Sequence, residues 1–517
     1  MNKHTLAAVI VVIVGIMGII LVKLLIPLFQ EQYAYGTSDA KDLKGEITIA
    51  LDSWIGYFPL QSPVYRKLMR DEGYRINVVD DQANYPRRME DLQKGKTDFA
   101  VCTIDSYLIN GLDKAYPGTI VAVIDESKGG DAVVAWKDKI DNMDTLKTKT
   151  GIRIAFTPDS PSHHLLKALG VHFGIPFLLE ARGSWRVETV GAEQAYRKLM
   201  GKDVEAAVIW EPHVTESLSN PGIIKLLGTE DTEKLVIDIL LVNRAFSREK
   251  AEVVQIALAK YFETLKVYSD DPALLEEDIV RHTRMKAEKV KPMLAGVRWV
   301  GYRENTRWFG VDGGGTTYRE ELPSSIDSTV EILMETGDFD SNPLPNEDPY
   351  TLINSSFIET IYISGYTPDA AEADAENSLE RKFPPLSEEQ WEKLKVVGSL
   401  TLRHVTFRSG TSELDEWGEL QIDQIVENVR HYPNFRIVIE GHTSSRGDEQ
   451  ANLALSRERA DSVKGYMVHY YSIDPDRIRA AGMGGKKPLP QKDGESDRSY
   501  DDRLKRVEVY LVTGGAI

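Results

Sequence analysis

The chain has 517 residues, a net charge of −18 and a single cysteine, Cys102. A polypeptide of this length exceeds the size at which one hydrophobic core stops growing, so two or three domains are expected. The acidic surplus argues against nucleic acid as a main partner, because no excess of basic side chains is available to neutralise phosphate. One cysteine excludes an internal disulfide, so packing alone must stabilise each domain.

The first predicted element is an apolar run from Leu6 to Phe29, interrupted only by Lys23. About 20 apolar residues in a helix cross the ~30 Å hydrocarbon core of a bilayer, so this run is predicted to be a single-pass membrane anchor. Lys3 and the free amino terminus favour a cytoplasmic N-terminus, which would place the bulk of the chain on the periplasmic side of the inner membrane. A cleaved signal peptide is the alternative, since Ala34-Tyr35-Gly36 is a weak small-x-small cleavage site.

A polar tether, residues 30–44, precedes a region in which strand-like and helical patterns alternate up to about residue 245. This alternation predicts parallel sheets with crossover connections. Helical periodicity then dominates residues 248–297. The predicted strands are Glu46–Leu51, Arg75–Val79, Phe99–Cys102, Ile120–Ile124, Arg153–Phe156, Ala206–Ile209 and Leu235–Val242, with helices such as Pro86–Gln93, His163–Phe173 and Ala192–Met200 between them.

Two segments of this region resemble each other, residues 92–101 and residues 199–208. Each reads as a helix end, a glycine, a charged turn and a small apolar strand. Gly95 and Gly201 are predicted to lie just past their helices, where a left-handed backbone favours glycine. Two lobes of similar design would explain the similarity, and chance resemblance of two helix-to-strand junctions is the alternative.

A new domain is predicted to begin at Ser387, after an acidic and proline-containing linker at residues 367–386. Ser387 and Gln390 have the spacing of a capping box at a helix start. The remaining pattern, up to residue 517, predicts a compact α+β domain. Its predicted strands are residues 401–407, 435–440, 477–481 and 506–512, and its predicted long helices are residues 414–429 and 448–470.

A dense motif lies in this domain: Gly441-His-Thr-Ser-Ser-Arg-Gly447, followed by Asn452, Leu455-Ser456, Arg459-Ala460 and Val463. With these spacings the segment from about residue 401 to residue 512 resembles the peptidoglycan-binding OmpA-like domain. The resemblance implies peptidoglycan as a partner. It places the wall-binding side chains at Thr443, Ser444, Asp448, Asn452, Leu455, Arg459 and Arg506.

In that family an aspartate and an arginine bind the diaminopimelate of the peptide stem, which carries an ammonium beside a carboxylate. Arg459 matches the arginine, whereas Ser444 stands where the family has the aspartate. Three outcomes stay open: Asp448 reaches the ammonium, wall binding is weakened, or the domain has another ligand. The alternative for Arg459 is a surface arginine paired with Glu440 or Asp448.

Between residues 45 and 366 the sequence resembles type 2 periplasmic solute-binding proteins of the nitrate, taurine and thiamine-precursor class of ABC transporters. The matching segments are Leu51–Gly56, Gly95–Ala100 and Ala207–Pro212, supported by Phe156–Ser162 and Asp348–Asn354. The resemblance implies a two-lobed α/β fold, a small-molecule solute between the lobes, and an ABC permease or another inner-membrane protein as a partner to expect.

Ligands of open α/β sheets collect at the carboxyl ends of the strands, which selects the candidate solute-binding residues. Ser160 or Ser162 could begin a helix whose free N–H groups receive an anion. Trp54, Tyr57 and Trp210 could stack on a planar or cationic ligand. The full candidate set is Asp52, Ser53, Trp54, Tyr57, Thr103, Asp105, Thr157, Asp159, Ser160, Ser162, Trp210 and Glu211.

Each of these assignments has a structural alternative. Asp159 and Ser162 are also ordinary helix N-cap residues. Trp210 is a side chain of a type that often lies in a core. Glu211 could simply brace the crossing between the lobes.

No metal, cofactor or catalytic group is predicted. His163, His164 and His213 lack the accompanying ligands of a metal site. Asp105 and Glu211 are a carboxylate pair, but nothing in the sequence indicates that the pKa of either group is raised for acid–base catalysis.

The sequence therefore predicts a membrane-anchored periplasmic protein that binds a solute and contacts peptidoglycan. An envelope scaffold or sensor, whose lobes contact a membrane protein rather than deliver solute, is the alternative. A motor stator is excluded because residues 6–29 contain no acidic residue to carry protons.

Overall fold

The computed structural model describes residues 43–180, 182–311, 321–364, 381–401, 405–408 and 410–514. The predicted anchor, nearly all of the tether and most of the linker lie outside these ranges. Within the described ranges, the structure contains no helix with the length and apolar character needed to cross a membrane.

The described residues contain fifteen strands in three sheets. The strands are β1 Gly45–Leu51, β2 Tyr74–Asp80, β3 Phe99–Thr103, β4 Gly118–Ser127, β5 Asp131–Trp136, β6 Ile154–Phe156, β7 Arg186–Glu188, β8 Ala206–Trp210, β9 Ile223–Gly228, β10 Ile237–Asn243, β11 Val297–Trp299, β12 Lys395–Ser399, β13 Arg436–His442, β14 Ile478–Gly484 and β15 Val507–Thr513.

Helices cover the faces of these sheets. The α-helices of the described ranges are α1 Phe58–Gln61, α2 Pro63–Asp71, α3 Tyr85–Gln93, α4 Ile104–Gly111, α5 Met143–Thr148, α6 Pro161–His172, α7 Gly191–Met200, α8 His213–Leu218, α9 Arg244–Glu249, α10 Ala251–Asp270, α11 Pro272–Thr283, α12 Ala287–Ala295, α13 Tyr302–Trp308, α14 Glu321–Glu335, α15 Ser356–Ile363, α16 Glu388–Glu392, α17 Glu416–Arg430, α18 Glu449–Tyr471 and α19 Asp497–Leu504.

Lobe 1 is built on a six-stranded sheet with the order β11-β4-β10-β3-β1-β2. β1 pairs in parallel with β2 and β3, but β10 is antiparallel to both of its neighbours, β3 and β4. The expectation of a purely parallel sheet is therefore wrong. β10 enters lobe 1 directly from the crossing between the lobes, so it runs away from the edge toward which β1 and β3 run.

Lobe 2 contains a five-stranded sheet with the order β7-β6-β8-β5-β9. β6 pairs in parallel with β7 and β8, while β5 is antiparallel to β8 and β9. The sequence patterns predicted β6 and β8 but missed β5, β7 and β9. The two α/β lobes themselves confirm the architecture that the resemblance implied.

Two segments connect the lobes, residues 128–130 and residues 229–236, and they form the hinge. Thr229 Oγ1 accepts hydrogen bonds from the backbone N–H groups of Gly129 (2.9 Å) and Asp131 (3.2 Å). Buried Glu126 accepts from the backbone N–H of Lys234 (2.6 Å) and pairs with Arg298 (2.7 Å). The two crossing segments are therefore tied to each other and to lobe 1.

The two similar segments, residues 92–101 and residues 199–208, differ by one residue in where the helix ends relative to the glycine. Gly95 lies past α3 with φ +66°, as expected. Gly201 has φ −74°, and the left-handed residue after α7 is Lys202 with φ +59°. The prediction for Gly201 is wrong because the helix ends one residue later relative to its glycine.

The C-terminal domain has a four-stranded sheet with the order β12-β15-β13-β14, against which α18 packs. The capping box at Ser387 is confirmed: Gln390 N–H donates to Ser387 Oγ (3.3 Å) and Ser387 N–H donates to Gln390 Oε1 (2.8 Å). The strand predicted at residues 401–407 is wrong in the described part, where Phe407 makes only an isolated bridge with Leu414. The strand at the start of the domain is β12, a few residues earlier.

The C-terminal domain and lobe 2 share a hydrophobic core, which we call the domain interface. Phe173 and Met143 of lobe 2 are buried in one cluster with Val397 and Tyr432 of the C-terminal domain. Gly398 makes the close approach possible, because a Cβ at this position would lie 2.7 Å from the Phe173 ring. The two domains therefore form one packed body along β12.

Polar contacts at the domain interface are paired. Thr401 N–H donates to the His172 carbonyl (2.7 Å), and Ser399 N–H donates to Asp144 Oδ1 (3.0 Å). The rings of His172 and His431 stack with centroids 5.3 Å apart, and His172 Nδ1 lies 2.8 Å from the Tyr432 hydroxyl. Burial lowers the pKa of both histidines, so both rings are neutral at neutral pH.

The C-terminal domain also contacts the hinge. Glu233 N–H donates to the His431 carbonyl (2.9 Å), and His431 Nδ1 lies 2.8 Å from the Glu233 carbonyl. Asn434 donates to the Glu230 carbonyl (2.9 Å), and His431 Nε2 contacts the hydroxyl of Ser328 on α14 (3.2 Å). One turn of the C-terminal domain thus binds the second hinge segment on one side and α14 on the other.

Candidate functional site

The interlobe cleft is bounded on lobe 1 by the ends of β1, β3, β10 and β4. In this sheet Asp238 lies opposite Thr103 on one side and opposite Asp125 on the other. Asp52 directly follows β1, and Asp105 directly follows β3 within α4. Four buried carboxyl groups therefore lie along one edge of the sheet.

Arg88 is the cation of this edge, and its guanidinium is already bound. It donates to Asp52 Oδ2 (3.0 Å), to Asp81 and to the Val101 carbonyl, and its side chain is 0% exposed. Asp52 also accepts from the Trp54 N–H (3.0 Å). Arg88 therefore neutralises the charge of Asp52 within lobe 1.

Asp125 and Asp238 form a buried acid pair. Trp54 Nε1 donates to Asp125 Oδ1 (3.1 Å), and the Tyr57 hydroxyl donates to Asp238. Burial raises the pKa of Asp125 to about 7, and burial together with the neighbouring Asp125 raises that of Asp238. Because adjacent carboxylates repel each other, the pair retains a shared proton near neutral pH.

The lobe 2 side of the cleft is formed by the start of β5, the end of β8 and the loop after β6. Asp131 lies opposite Trp210. Its carboxylate accepts from Ser162 Oγ (2.7 Å) and Ser127 Oγ (3.0 Å), and burial raises its pKa. Trp210 is half-buried and packs against the core of lobe 2.

The helix that begins in this loop is capped by Ser160, whose Oγ accepts from the His163 N–H (3.4 Å). The capping alternative is therefore wrong for Asp159 and Ser162: Asp159 is exposed with φ +53°, and Ser162 instead binds Asp131. The Asp159 carbonyl accepts from Ser106 Oγ (3.3 Å), which is a direct contact between the lobes.

Four other predicted residues are engaged locally, exposed or buried. Glu211 accepts from the Thr215 hydroxyl (2.8 Å) and N–H (3.2 Å), so it binds the start of α8. Thr103 Oγ1 donates to Ser106 Oγ (2.9 Å), and Ser53 is exposed. Thr157 Oγ1 is buried without a hydrogen-bond partner among the described residues.

Sequence reasoning missed Asp125, Asp131 and Asp238, although they contribute half of the cleft carboxylates. Asp238 interrupts a mostly apolar strand, β10, whereas Asp125 lies in the polar end of β4, beside Glu126, and Asp131 follows a pair of glycines. An isolated acid in a buried strand requires a partner, and that signal could have identified Asp238.

The predicted wall-binding loop is held by Asn452. Its Nδ2 donates to the carbonyls of Arg446 (2.8 Å) and Ser444 (3.3 Å). Ser444 Oγ accepts from the Arg446 N–H (3.0 Å), and Asp448 caps α18 by accepting from the Ala451 N–H (2.8 Å). Asp448 is exposed and retains one free oxygen for a ligand.

Arg459 lies on α18 one turn after half-buried Leu455. Its guanidinium stacks over the Phe407 ring at 5.0 Å, and Nε donates to the Thr411 carbonyl (3.3 Å). Among the described residues it forms no ion pair. Glu440 instead pairs with Lys487 (2.8 Å), so the alternative pairing of Arg459 with Glu440 or Asp448 is wrong.

Other residues of the motif build the domain. A Cβ on Gly441 would lie 2.0 Å from the Ser456 carbonyl, so only glycine lets β13 approach α18 this closely. Buried Ser456 accepts from the Gly484 N–H (2.9 Å), and buried Thr443 donates its N–H to the Gly484 carbonyl (3.0 Å). The motif therefore combines packing requirements with the exposed loop.

Arg506 was predicted to contact the wall but is directed to Glu508 (2.8 Å). Glu508, His442 and Glu440 form the one group in the described part of the chain whose ligand atoms could hold a metal ion. Lys487 and Arg506 already balance the two carboxylates, which argues against a further cation there. His163, His164 and His213 belong to no such group among the described residues.

Comparison with known proteins gives two sets of matches. The model of the OmpA family matches residues 406–502. The peptidoglycan-associated lipoprotein of Haemophilus influenzae is 30% identical over 116 residues, 22% of this chain and 74% of that protein. Outer membrane protein Omp38 of Acinetobacter baumannii is 30% identical over 100 residues, and the chain spans 28% of its length.

Among solved structures, two periplasmic sulfonate-binding proteins are similar to this chain. SsuA of Methylobacillus flagellatus has 14% sequence identity and a TM-score of 0.48, covering 63% of this chain and 95% of that one. SsuA of Escherichia coli has 16% identity and a TM-score of 0.45, covering 60% of this chain and 98% of that one.

Proposed function

Because the chain belongs to the OmpA family through its C-terminal domain, we propose that it is a membrane-anchored periplasmic protein. It binds a small solute between its two lobes and contacts peptidoglycan through the C-terminal domain. The observation that carries this proposal is architectural: a hinged two-lobed body and a wall-binding domain share one hydrophobic core. The role is binding rather than catalysis.

Wall binding rests on Arg459. A guanidinium without an ion-pair partner in the described part of the chain is available for the carboxylate of the peptide stem. Ser444 provides no charge for the adjacent ammonium, and an unmatched member of a buried charge pair costs about 2–5 kcal/mol in comparable interfaces. Wall binding is therefore retained but weaker than in relatives that carry the aspartate.

A murein pull-down of the full chain tests this part. Arg459→Ala should reduce retention and Ser444→Asp should increase it. Arg457→Ala is the matched control, because Arg457 is an exposed arginine on the same helix that pairs with Asp461 (3.0 Å). Equal retention of wild type and all three variants would contradict the assignment of this pocket.

The location is part of the proposal. Residues 6–29 anchor the chain in the inner membrane with the bulk in the periplasm, and a cleaved signal peptide is the alternative. Protease added to spheroplasts should digest the bulk of the chain but leave it intact in whole cells. Mass spectrometry of the purified protein distinguishes an intact N-terminus from one that begins at Thr37, after the Ala34-Tyr35-Gly36 site.

A second function, an envelope sensor or scaffold, is favoured by the contact between the C-terminal domain and the hinge. His431 binds Glu233 of the hinge segment and Ser328 of α14. Movement of the lobes would therefore change the surroundings of the wall-binding domain. Copurification of an ABC permease supports solute delivery, whereas capture of another inner-membrane protein without a permease supports the sensor.

A further inference from the structure

The interlobe cleft is lined by carboxyl groups from both lobes. Asp238 lies between Asp125 and Thr103 in the sheet of lobe 1, and Asp131 lies at the start of β5 in lobe 2. The electrostatic fields of these groups overlap, since Asp105 acts on Asp131 across the cleft. The six carboxyl groups are Asp52, Asp105, Asp125, Asp131, Asp159 and Asp238.

The cations near the cleft neutralise this set only in part. The guanidinium of Arg88 already forms ion pairs with Asp52 and Asp81, and its side chain is inaccessible to solvent. Lys167 pairs with Asp338 across the lobes (2.7 Å), and its charge opposes the rise in the pKa of Asp105 and Asp159 without an ion pair to either. The Asp125–Asp238 pair and Asp131 have no cationic partner within ion-pair distance in the described part of the chain.

Protons take the place of the missing cations. Asp125 is 0% exposed, and its Oδ2 finds no donor group among the described residues, so only a proton shared with Asp238 satisfies it. Burial raises the pKa of Asp105 to about 6 and also raises that of Asp131. A positive ligand would replace these protons, because it would favour the ionised form of each group.

Two other ligand classes fit less well. An anion at the start of α6 would meet Asp131, which Ser162 binds from the first turn of that helix. A metal ion needs several oxygens around one point, and the cleft carboxylates do not form such a group in the described residues. An organic cation has neither limitation, because separate carboxylates can each accept one of its N–H hydrogen bonds.

We propose that the solute of the interlobe cleft is an organic cation, a small amine or guanidine with one or more positive centres, bound by Asp105, Asp131 and the Asp125–Asp238 pair. This inference rests on the proposed solute-binding function and adds the ligand class. Half-buried Trp54 binds Asp125 and half-buried Trp210 lies opposite Asp131 in the sheet, so their rings would cover the apolar part of the ligand.

The test is a thermal-shift and calorimetric titration of the full-length protein at pH 8. The cationic probes are 1,4-diaminobutane, arginine and tetramethylammonium, and the anionic probes are ethanesulfonate and nitrate. A ligand that binds only the folded state raises the melting temperature. At least one cation should do so, and its affinity should fall about tenfold or more between pH 8 and pH 5.5 as the carboxylates take up protons.

Two variants test the site itself. Asp105→Asn and Asp131→Asn should each weaken cation binding at least about tenfold. The Asp105→Asn variant provides an independent test if Asn at position 131 disturbs the hinge. Asp113→Asn is the control, because Asp113 is an exposed acid two residues past the end of α4 and should change nothing.

The possible outcomes are distinct. A shift with ethanesulfonate or nitrate and none with the cations overturns the ligand class but leaves solute binding intact. Cation binding that is equal in wild type and both cleft variants overturns the assigned residues. No shift with any probe contradicts both this inference and the solute-binding part of the proposed function.

Discussion

The interlobe cleft and the domain interface are both buried, but they satisfy their polar groups in opposite ways. In the cleft, Asp125 and Asp238 meet each other with only a shared proton between them. At the domain interface, His172 and His431 are neutral rings that stack, and each has a hydrogen-bond partner. Asp125 Oδ2 has no donor among the described residues, whereas both interface histidines have a partner.

This difference indicates which of the two surfaces responds to a ligand. Buried like charges are costly unless a partner arrives, so the cleft gains most from a ligand. A packed interface with paired polar groups gains nothing from opening. We therefore expect the lobes to respond to a solute while the C-terminal domain stays on lobe 2 and the hinge.

The largest effect is expected from Tyr432→Ala. Tyr432 is fully buried and its ring packs edge-on against Phe173 and His172. Removing a buried aromatic ring typically costs about 3–5 kcal/mol. Urea denaturation should show this loss in the free energy of unfolding, and Tyr432→Phe should lose only about 1 kcal/mol with the hydrogen bond to His172. Equal losses in both variants would contradict the packing role.

Asp125→Asn should stabilise the free protein at high pH. The folded-state pKa of about 7 lies above the unfolded value near 3.9, so wild-type stability falls as pH rises from about 4 to 7. Asn does not ionise and should gain roughly 1–4 kcal/mol at pH 8 and little at pH 4. Melting temperatures of both proteins across this range provide the check, and a pH-independent difference would count against the buried acid pair.

Gly398→Ala should weaken the domain interface by steric contact. The added methyl group would lie 2.7 Å from Phe173 and 2.8 Å from Met143. Overpacking of this kind costs about 1–3 kcal/mol. Gly465→Ala, on exposed α18 with no atom within 4 Å, is the matched control and should be neutral or slightly stabilising in urea denaturation. Equal changes in the free energy of unfolding of the two variants would contradict the close approach of Gly398 to lobe 2.

The smallest effect is the acid response of the interface histidines. Burial lowers their folded-state pKa, so their contribution is complete above about pH 6.5 and is lost as pH falls below it. Lys234 adds to this effect at His431, whereas the Glu233 carbonyl and Glu427 oppose it. Hydrogen exchange at the Thr401 amide, corrected for intrinsic rate, should be faster at pH 5 by about tenfold. An unchanged rate would contradict the burial of neutral rings.

Much of the fold could be predicted because its signals are local. Alternating and 3.6-residue periodicities placed β1, β2, β3, β10 and the helices around them, and the Ser387 capping box was read correctly. β5 and β9 were missed, and the orientation of β10 was wrong, because strand direction depends on where the chain crosses between the lobes. No local pattern contains that information.

The candidate sites show the same limit. The motif around Gly441 and Arg459 was visible because its spacing is fixed by one loop and one helix. Asp131 was missed because no local pattern shows that Ser162, from a separate helix, binds it. The fit of Gly398 against Phe173, and of His431 against the hinge, depends on three-dimensional contacts between domains and leaves no periodicity in the sequence.

The central claim is that the wall-binding domain is fixed to lobe 2, and a distance measurement between the two tests it most directly. The protein's own Cys102 is buried, so spin labels can be attached at Arg197→Cys in lobe 2 and Glu458→Cys on α18, both exposed positions. Double electron–electron resonance should give one narrow distance distribution, unchanged when a cationic solute binds. A broad or bimodal distribution in the free protein would contradict the account.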